Sequence, residues 1–432
     1  MPFAQDPAPP PHALCVLAPE AWKSALAPFV EARNRDLAVE LVTLEHVLAT
    51  TEGVDPPERV KRFLFTAWKE RRARYALLVG DADVFPVRFM LLDRVTPAAF
   101  DHAFYPCDLY YADLARSDAS FDDWNAEKEG VHARYFGEVR GEKHKSGPID
   151  FDRISYVPEL AVGRWPVSDE VALRAVVAKT LAAGLPTAPS HAIFVHPPGW
   201  VDVRDRLSKL GDPLVRAGIH VSRLFFSENP AALAVDSERV AGLVIGGRPQ
   251  FVFHCGHGTQ DGWQHCLDSI EPYRSAAPAV YFSVGCNTAE FCVEPPYHPY
   301  LDVDLVQHAG TNAGEVFAAP PPPPACLQPG DLNLTGLGER LVRMPEGGAV
   351  VYIGCATGAQ PCAVTLLSGF SDALCDPQIR RAGDAWRAAI EHYHAAEQLA
   401  KLVPTADWYP PSIFFQGMKF LYFGDPTLPI RP

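Results

Sequence analysis

A histidine and a cysteine each stand just past an apolar stretch of the sequence. His257 lies between two glycines after the stretch 250–254, and Cys286 follows a glycine after the stretch 279–284. A thiol attacks a carbonyl carbon as the thiolate, and a nearby imidazole supplies the base or the cation that this step requires. We expect the N–H groups of Gly258 and Cys286 to form an oxyanion hole. The pattern predicts a thiol hydrolase with Cys286 as nucleophile and His257 as acid and base.

Strands that alternate with helices are expected to position these two residues. This alternation predicts a mostly parallel sheet with helices on both faces, and ligands bind at the carboxyl ends of the strands in such sheets. A Gly- and Pro-rich seam divides the chain into an N-terminal α/β unit, 1–186, and a catalytic α/β unit, 187–432, each expected to have its own sheet. The predicted strands are 13–18, 38–44, 75–79, 160–162, 192–196, 220–225, 250–254, 279–284 and 349–353.

The segment 292–335 interrupts this alternation. It contains five consecutive prolines, 320–324, and no lysine or arginine. Long stretches of this composition are usually irregular, so we expect an insertion without regular secondary structure in the second unit.

Composition limits the classes of partner. The 432 residues carry a net charge of −14, which repels nucleic acid and anionic lipid and attracts a positively charged substrate. The proline-rich start shows no pattern of a secretory signal, no apolar run approaches roughly 20 residues, and the ten cysteines lack the spacing of a disulfide scaffold. We therefore expect a cytoplasmic protein without a membrane or nucleic-acid partner.

Motifs spread over the chain resemble the gingipain-type cysteine peptidases of the caspase-like clan. The resemblance implies a caspase-like α/β/α sandwich of two tandem subdomains and cysteine endopeptidase activity. It also implies Cys286 as nucleophile and His257 as general acid and base, with no cofactor required for catalysis and structural calcium possible at Asp108 or Asp113. The motifs are Leu77–Ala82, Asp108–Asp113, Ala161–Pro166, Phe253–Gly258, Tyr281–Asn287, Gly347–Val350 and Phe423–Leu428.

The resemblance also suggests where the P1 side chain binds. Basic-specific members carry an acidic residue near a helix start, where this chain has Asp202 and Asp205. Such a carboxylate selects Arg or Lys through a charge-assisted hydrogen bond, although an acidic residue there also offsets the helix dipole. The loop with Thr357 and Gln360 takes the place of the family's aromatic pocket wall. His196 stands where the family has an orienting carboxylate, so either Asp202 or Asp205 supplies that group or the dyad works alone. These differences leave the P1 preference open.

A metal site is one alternative interpretation of the same region. His254, Cys255, His257, His265 and Cys266 form a dense group of possible ligands. Their spacing matches no standard zinc pattern, and adjacent residues of a strand face opposite sides of the sheet. We therefore expect no catalytic metal.

A catalytically silent scaffold or binding module of the same fold is the other alternative. The missing carboxylate and the insertion favour it, whereas the intact Cys286 and His257 count against it. A peptidase inside a cell must be restrained, which predicts a zymogen state, a narrow substrate, or an activating ligand such as a regulatory protein partner.

Overall fold

The computed structural model describes residues 13–125, 128–184, 190–229, 231–406 and 409–431. The strands in this part of the chain are β1 (Leu14–Ala18), β2 (Val39–Thr43), β3 (Tyr75–Val79), β4 (Phe89–Asp93), β5 (His102–Pro106), β6 (Phe136–Val139), β7 (Ala161–Trp165), β8 (His191–His196), β9 (His220–Phe225), β10 (Phe251–Cys255), β11 (Ala279–Val284), β12 (Tyr300–Leu301), β13 (Gln307–His308), β14 (Ala349–Cys355) and β15 (Phe420–Gly424). The α-helices are α1 (Lys23–Arg33), α2 (Leu44–Thr50), α3 (Pro56–Arg71), α4 (Glu170–Ala183), α5 (Arg204–Arg216), α6 (Ser237–Gly247), α7 (Leu337–Arg343), α8 (Val364–Ala373), α9 (Ala382–Ala396), α10 (Pro410–Phe414) and α11 (Gln416–Lys419). Within these residues no helix combines the length and the apolar character needed to cross a bilayer.

The large sheet has ten strands in the order β2-β1-β3-β7-β15-β14-β11-β10-β8-β9. All neighbours are parallel except β14 and β15, which confirms the expected α/β class with a mostly parallel sheet. The expectation of a separate sheet for each half is wrong. The C-terminal strand β15 pairs with β14 on one side and with β7 on the other, so the backbone groups of both edges are satisfied within one continuous sheet. The predicted seam at residue 186 falls on residues 185–189, which lie outside the described part of the chain.

Helices cover both faces of this sheet, which explains why its central strands are apolar throughout. One core cluster packs α3, α5, α8 and α9 against one face, and a second packs α1, α4, α6 and α7 against the other. Every residue of β10, β11 and β14 is buried. Strands buried on both faces have continuous apolar runs instead of alternation, and this is the pattern in the sequence.

The insertion after β11 is largely irregular, as expected, and it packs along the first half of the chain. Its regular structure consists of the two-residue strands β12 and β13 and short turns of 3₁₀ helix. The amide of Val87 donates to the carbonyl of Cys326 at 2.8 Å, and the amide of Gln328 donates to the carbonyl of Ala82 at 2.9 Å. These bonds tie the second half of the chain to the loops that follow β3.

A buried ion pair stabilises the carboxyl edge of the sheet in the first half. Arg164 in β7 is fully buried, and its Nε and Nη2 donate to the two carboxylate oxygens of Asp108 at 2.8 and 2.7 Å. A third donor, Nη1, bonds the carbonyl of Gly80 at 3.1 Å. Arg164 therefore joins the turn after β3 to the segment that begins at residue 108.

Removal of the Asp108 carboxylate should destabilise the fold strongly. Asp108→Ala leaves the Arg164 guanidinium buried without its counterion, which costs about 3–5 kcal/mol. Glu170→Ala is the matched control, because it removes an ion pair with Arg174 that lies on the surface, worth about 0.3–0.5 kcal/mol. The free energy of unfolding in urea is measured for both variants. Equal losses of stability would contradict the structural role of the buried ion pair.

Candidate active site

The register of two neighbouring strands carries His257 and Cys286 to the same edge of the sheet. Strands β10 and β11 are parallel, with Cys255 opposite Val284. Two residues further along each chain come His257 and Cys286, outside the carboxyl ends of the strands. In open parallel sheets this is the edge where ligands bind.

The loops that hold the two residues touch through glycine backbones. A Cβ atom built on Gly258 would lie 2.7 Å from the carbonyl oxygen of Cys286 and 2.4 Å from Cγ2 of Thr288. A Cβ atom on Gly285 would lie 3.0 Å from Cα of Gly258. Carbon atoms in proteins pack at about 3.5–4.0 Å, so side chains at these positions would force the loops apart. Glycine at positions 258 and 285 therefore allows the loop with His257 to pack against the loop with Cys286.

The site offers two backbone donors to an incoming oxygen atom. In the part of the chain that the structure describes, the N–H groups of Gly258 and Cys286 donate to no other protein group. The chain turns sharply after the cysteine, because Asn287 adopts a φ of 57°. The Asn287 amide donates to the carbonyl of Thr357 at 2.8 Å, which fixes this turn against the neighbouring loop.

A backbone carbonyl orients the imidazole ring of His257. Its Nε2 lies 2.9 Å from the carbonyl oxygen of Gly199. A carbonyl oxygen only accepts hydrogen bonds, so Nε2 carries the proton and Nδ1 is left as the proton acceptor. In this structure the hydrogen bond to the His257 ring is made by a backbone carbonyl and not by a side-chain carboxylate.

His196 holds the loop that presents this carbonyl. The ring is buried, its Nδ1 donates to the carbonyl of Cys255 at 2.7 Å, and its Nε2 accepts from the amide of Val203 at 3.3 Å. Burial lowers the pKa of His196, which agrees with a neutral ring that donates through one nitrogen and accepts through the other. The residue therefore fastens the loop 197–203 to the end of β10.

The two acidic P1 candidates differ in their surroundings. Both carboxylate oxygens of Asp202 accept from the Arg204 guanidinium, at 2.9 Å from Nε and 2.7 Å from Nη2. These hydrogen bonds lower the pKa of Asp202 to about 2. Asp205 is exposed in the first turn of α5. A basic ligand of Asp202 would have to displace Arg204, whereas Asp205 lies open to solvent.

The other two P1 candidates lie in the loop that follows β14, and this loop contacts the nucleophile. The Cys286 thiol donates to the carbonyl of Ala359 at 3.6 Å. Thr357 is buried. Gln360 is exposed, and its backbone N–H donates to Oε1 of Gln416 at 3.1 Å. The structure therefore brings the loop with Thr357 and Gln360 against Cys286.

Two buried charged residues that the sequence did not single out brace this loop. The ammonium of Lys419 donates to the carbonyl of Gly358, and the hydroxyl of Thr357 bonds the carboxyl group of Glu294. Burial lowers the pKa of Lys419 and raises the pKa of Glu294 to about 7. Neither residue belongs to a recognisable motif, since Glu294 comes from the insertion and Lys419 from the C-terminal segment.

The possible metal ligands around His257 do not assemble into a site. His254 is buried, its Nδ1 lies 2.9 Å from Oγ of Ser283, and its ring stacks on Trp263 with centroids 4.3 Å apart. Burial lowers the pKa of His254 well below its usual range and raises that of Cys255. Over the described residues, no group of three or more His, Cys, Asp and Glu side chains has the arrangement of a metal site.

The two carboxylates expected for structural calcium do not fit that ion. Both oxygens of Asp108 are taken by Arg164. The oxygens of Asp113 accept from the hydroxyl of Ser155 at 3.1 Å and from the amide of Tyr156 at 2.8 Å. Calcium needs six to eight oxygen ligands, and these carboxylates already serve protein donors.

The fold has counterparts among solved structures. It resembles the Arg specific cysteine proteinase gingipain R with a TM-score of 0.61 and 14% sequence identity, over 99% of this chain and 80% of that chain. It also resembles a complex of the pro- and mature domains of RgpB from Porphyromonas gingivalis, with a TM-score of 0.59 and 14% identity, over 97% of this chain and 80% of that chain. These likenesses show a gingipain-like fold.

The sequence itself identifies the family. No curated protein matches the chain significantly. The family model of Peptidase family C25, however, matches residues 7–431, nearly the whole chain. The chain therefore belongs to peptidase family C25 and is a cysteine-type peptidase.

Proposed function

We propose that the chain is an endopeptidase in which Cys286 is the nucleophile and His257 transfers the protons. One observation carries the assignment. The glycine contact between Gly258 and the Gly285–Cys286 backbone sets the histidine loop against the cysteine loop at the ligand-binding edge of the sheet. In this proposal the Cys286 thiol, the His257 imidazole and the amides of Gly258 and Cys286, all carried by these two loops, act on one substrate carbonyl, as acyl transfer requires.

The proposed reaction runs through a thioester. Nδ1 of His257 takes the thiol proton while the Cys286 sulfur bonds to the carbonyl carbon of the scissile amide. The N–H groups of Gly258 and Cys286 stabilise the charge that develops on the carbonyl oxygen. The imidazolium then protonates the amide nitrogen as the C–N bond breaks, so the amine departs and the acyl group stays on sulfur. Water, deprotonated by His257, hydrolyses the thioester and restores the thiol.

The orienting role of a third group falls to the backbone in this proposal. The hydrogen bond to the Gly199 carbonyl keeps the proton on Nε2 and stabilises the imidazolium that forms at Nδ1. A neutral carbonyl stabilises a cation less than a carboxylate does, since charge-assisted hydrogen bonds are roughly twice as strong as neutral ones. In the proposed mechanism Cys286 and His257 work without a side-chain carboxylate that orients the imidazole.

Basic P1 residues are the proposed preference, with the P1 side chain against the loop 357–360. The carbonyl of Ala359 in that loop contacts the Cys286 sulfur, and the net charge of −14 favours the approach of cationic peptides. Asp205 is the better placed of the two acidic candidates, because Asp202 is already paired with Arg204. Gingipain R, which has a similar fold, is described as Arg specific.

A protein partner is the proposed means of restraint. The similar RgpB structure contains a pro-domain bound to the mature domain. In this chain the Cys286 thiol donates to the Ala359 carbonyl, so movement of the loop 357–360 would change how the thiol is held. A partner that contacts this loop would thereby control the nucleophile.

Substitution of Cys286 or His257 should abolish or strongly reduce peptide hydrolysis. Cys286→Ala removes the nucleophile, and His257→Ala is expected to lower kcat/KM by about 10²–10⁴, the usual contribution of general acid–base catalysis. Cys375→Ala is the matched control, because that half-buried thiol donates to the Ser371 carbonyl away from the site. The rate of hydrolysis of internally quenched peptides that differ in their P1 residue is measured for all three variants.

The same experiment separates the peptidase from a silent scaffold. A peptidase cleaves at least one peptide of the panel, and iodoacetamide alkylates its Cys286 faster than its Cys375. If no peptide of the panel is hydrolysed and iodoacetamide alkylates Cys286 no faster than Cys375, the proposal is contradicted and the scaffold is favoured.

Insertion of a methyl group at the glycine contact should disable catalysis. Gly258→Ala places a Cβ atom against the Cys286 carbonyl and displaces an oxyanion donor, so kcat/KM should fall by about 10²–10³. Gly242→Ala in α6 is the control, since its Cβ atom meets nothing within 4 Å and helix propensity favours alanine by about 0.5–1 kcal/mol. Peptide hydrolysis and the unfolding midpoint measure both variants, and wild-type turnover by Gly258→Ala would contradict the assigned geometry.

A further inference from the structure

A cleft opens beside the loop that orients His257. Its volume is about 380 Å³, and its walls come from the turn after β8, the segment between β9 and α6, and the loop after β10. We name it the β9 cleft and define it by the side chains of Pro198, Phe226, Leu233, Val235 and His265. The first four are apolar, and Leu233 is 74% exposed in the free protein.

The β9 cleft lies next to the backbone segments that are hydrogen-bonded to His257. Pro198 directly precedes Gly199, whose carbonyl accepts from Nε2 of His257 at 2.9 Å. His265 directly follows Gln264, whose amide donates to the His257 carbonyl at 3.1 Å. Pro198 and His265 are thus each next in sequence to a residue whose backbone is hydrogen-bonded to His257.

The walls of the β9 cleft are held in place before any ligand arrives. Nη1 of Arg239 in α6 donates to the carbonyls of Leu233 and Ala234, at 2.9 and 3.1 Å. The side chain of Asp236 caps the same helix by accepting from the Arg239 amide at 2.9 Å. His265 adopts a φ of 70°, a conformation that is uncommon outside glycine and occurs often at functional sites.

The chemistry of the proposed reaction assigns the cleft to one side of the scissile bond. A catalytic imidazole must reach the amide nitrogen that departs, and this nitrogen belongs to the residue after the cleaved bond. The side of Cys286 on which His257 lies is therefore the leaving-group side. The loop 357–360 leads into α8, on the face of the sheet that also carries α5 with Asp205. The β9 cleft lies beyond His257, next to α6 on the opposite face.

Resting on the proposed function, we infer that the β9 cleft is a specificity subsite for an apolar side chain in the leaving-group half of the substrate. Phe226, Leu233 and Val235 offer that side chain an apolar surface next to the departing amine. An apolar pocket discriminates between side chains by about 10–200-fold for each methylene it accommodates or lacks. Such a subsite lets the enzyme choose substrates by sequence on both sides of the cleaved bond.

Internally quenched peptides test this subsite. They share the residues before the scissile bond with a peptide that the wild type cleaves, and they carry Leu or the neutral polar Asn at each of the first three positions after it in turn. The readout is the ratio of kcat/KM for the Leu peptide to that for the Asn peptide, which cancels any general change in activity. We expect a ratio of about 10 or more at one position for the wild type, and a ratio below about 2 there for Leu233→Asp.

A control variant and a second substrate make the outcomes distinguishable. Val171→Asp places the same charge on an exposed apolar position of α4, where Val171 is 80% exposed, and it should keep the wild-type ratio. A peptide amide of aminomethylcoumarin has no amino acid after the cleaved bond, so its hydrolysis by the wild type reports the chemistry alone. If coumarin is released but the Leu-to-Asn ratio is the same in the wild type and in Leu233→Asp, the subsite is overturned and the peptidase is left intact. Absence of hydrolysis of every substrate would overturn both.

Discussion

The close approach of two backbones at the edge of the sheet is the constraint on which the account of this peptidase depends. Parallel pairing of β10 and β11 delivers the histidine and cysteine loops to the same edge, but register alone would leave them separated by side chains. Glycine at positions 258 and 285 removes that separation and leaves the amides of Gly258 and Cys286 free. The residues proposed as nucleophile, base and oxyanion donors are therefore all carried by two loops that meet at a single contact. The burial of both strands on both faces holds that contact rigid.

A second consequence concerns how a dyad works without a carboxylate. The ring of His257 is oriented by the carbonyl of Gly199, and the loop that carries this carbonyl is fastened by the buried, neutral His196. A charged residue at position 196 would be costly, because its side chain lies inside the protein. The geometry needed for proton transfer is thus built from backbone hydrogen bonds. The same loop carries Pro198, which lines the β9 cleft, so the loop that orients the His257 ring also shapes this cleft.

The sequence predicted the class of fold and the two loops because the relevant signals are local. Apolar runs mark strands buried on both faces, and residues just past such strands meet at one edge. The single continuous sheet was not predicted, since the pairing of β15 between β14 and β7 joins segments far apart in the chain. The role of Gly199 was missed because every residue carries a carbonyl and only its position in space makes it an acceptor. The pairing of Asp202 with Arg204 likewise depends on backbone geometry that residue types do not reveal.

The most direct test of Cys286 as the nucleophile is the mass of the covalent intermediate during turnover. The chain is mixed with a peptide ester substrate, quenched with acid within milliseconds to seconds, and digested for mass spectrometry. The account predicts an acyl group attached as a thioester to the peptide that contains Cys286, with accumulation that depends on His257. Turnover with the acyl group on another residue, or with no covalent adduct at any quench time, would contradict it.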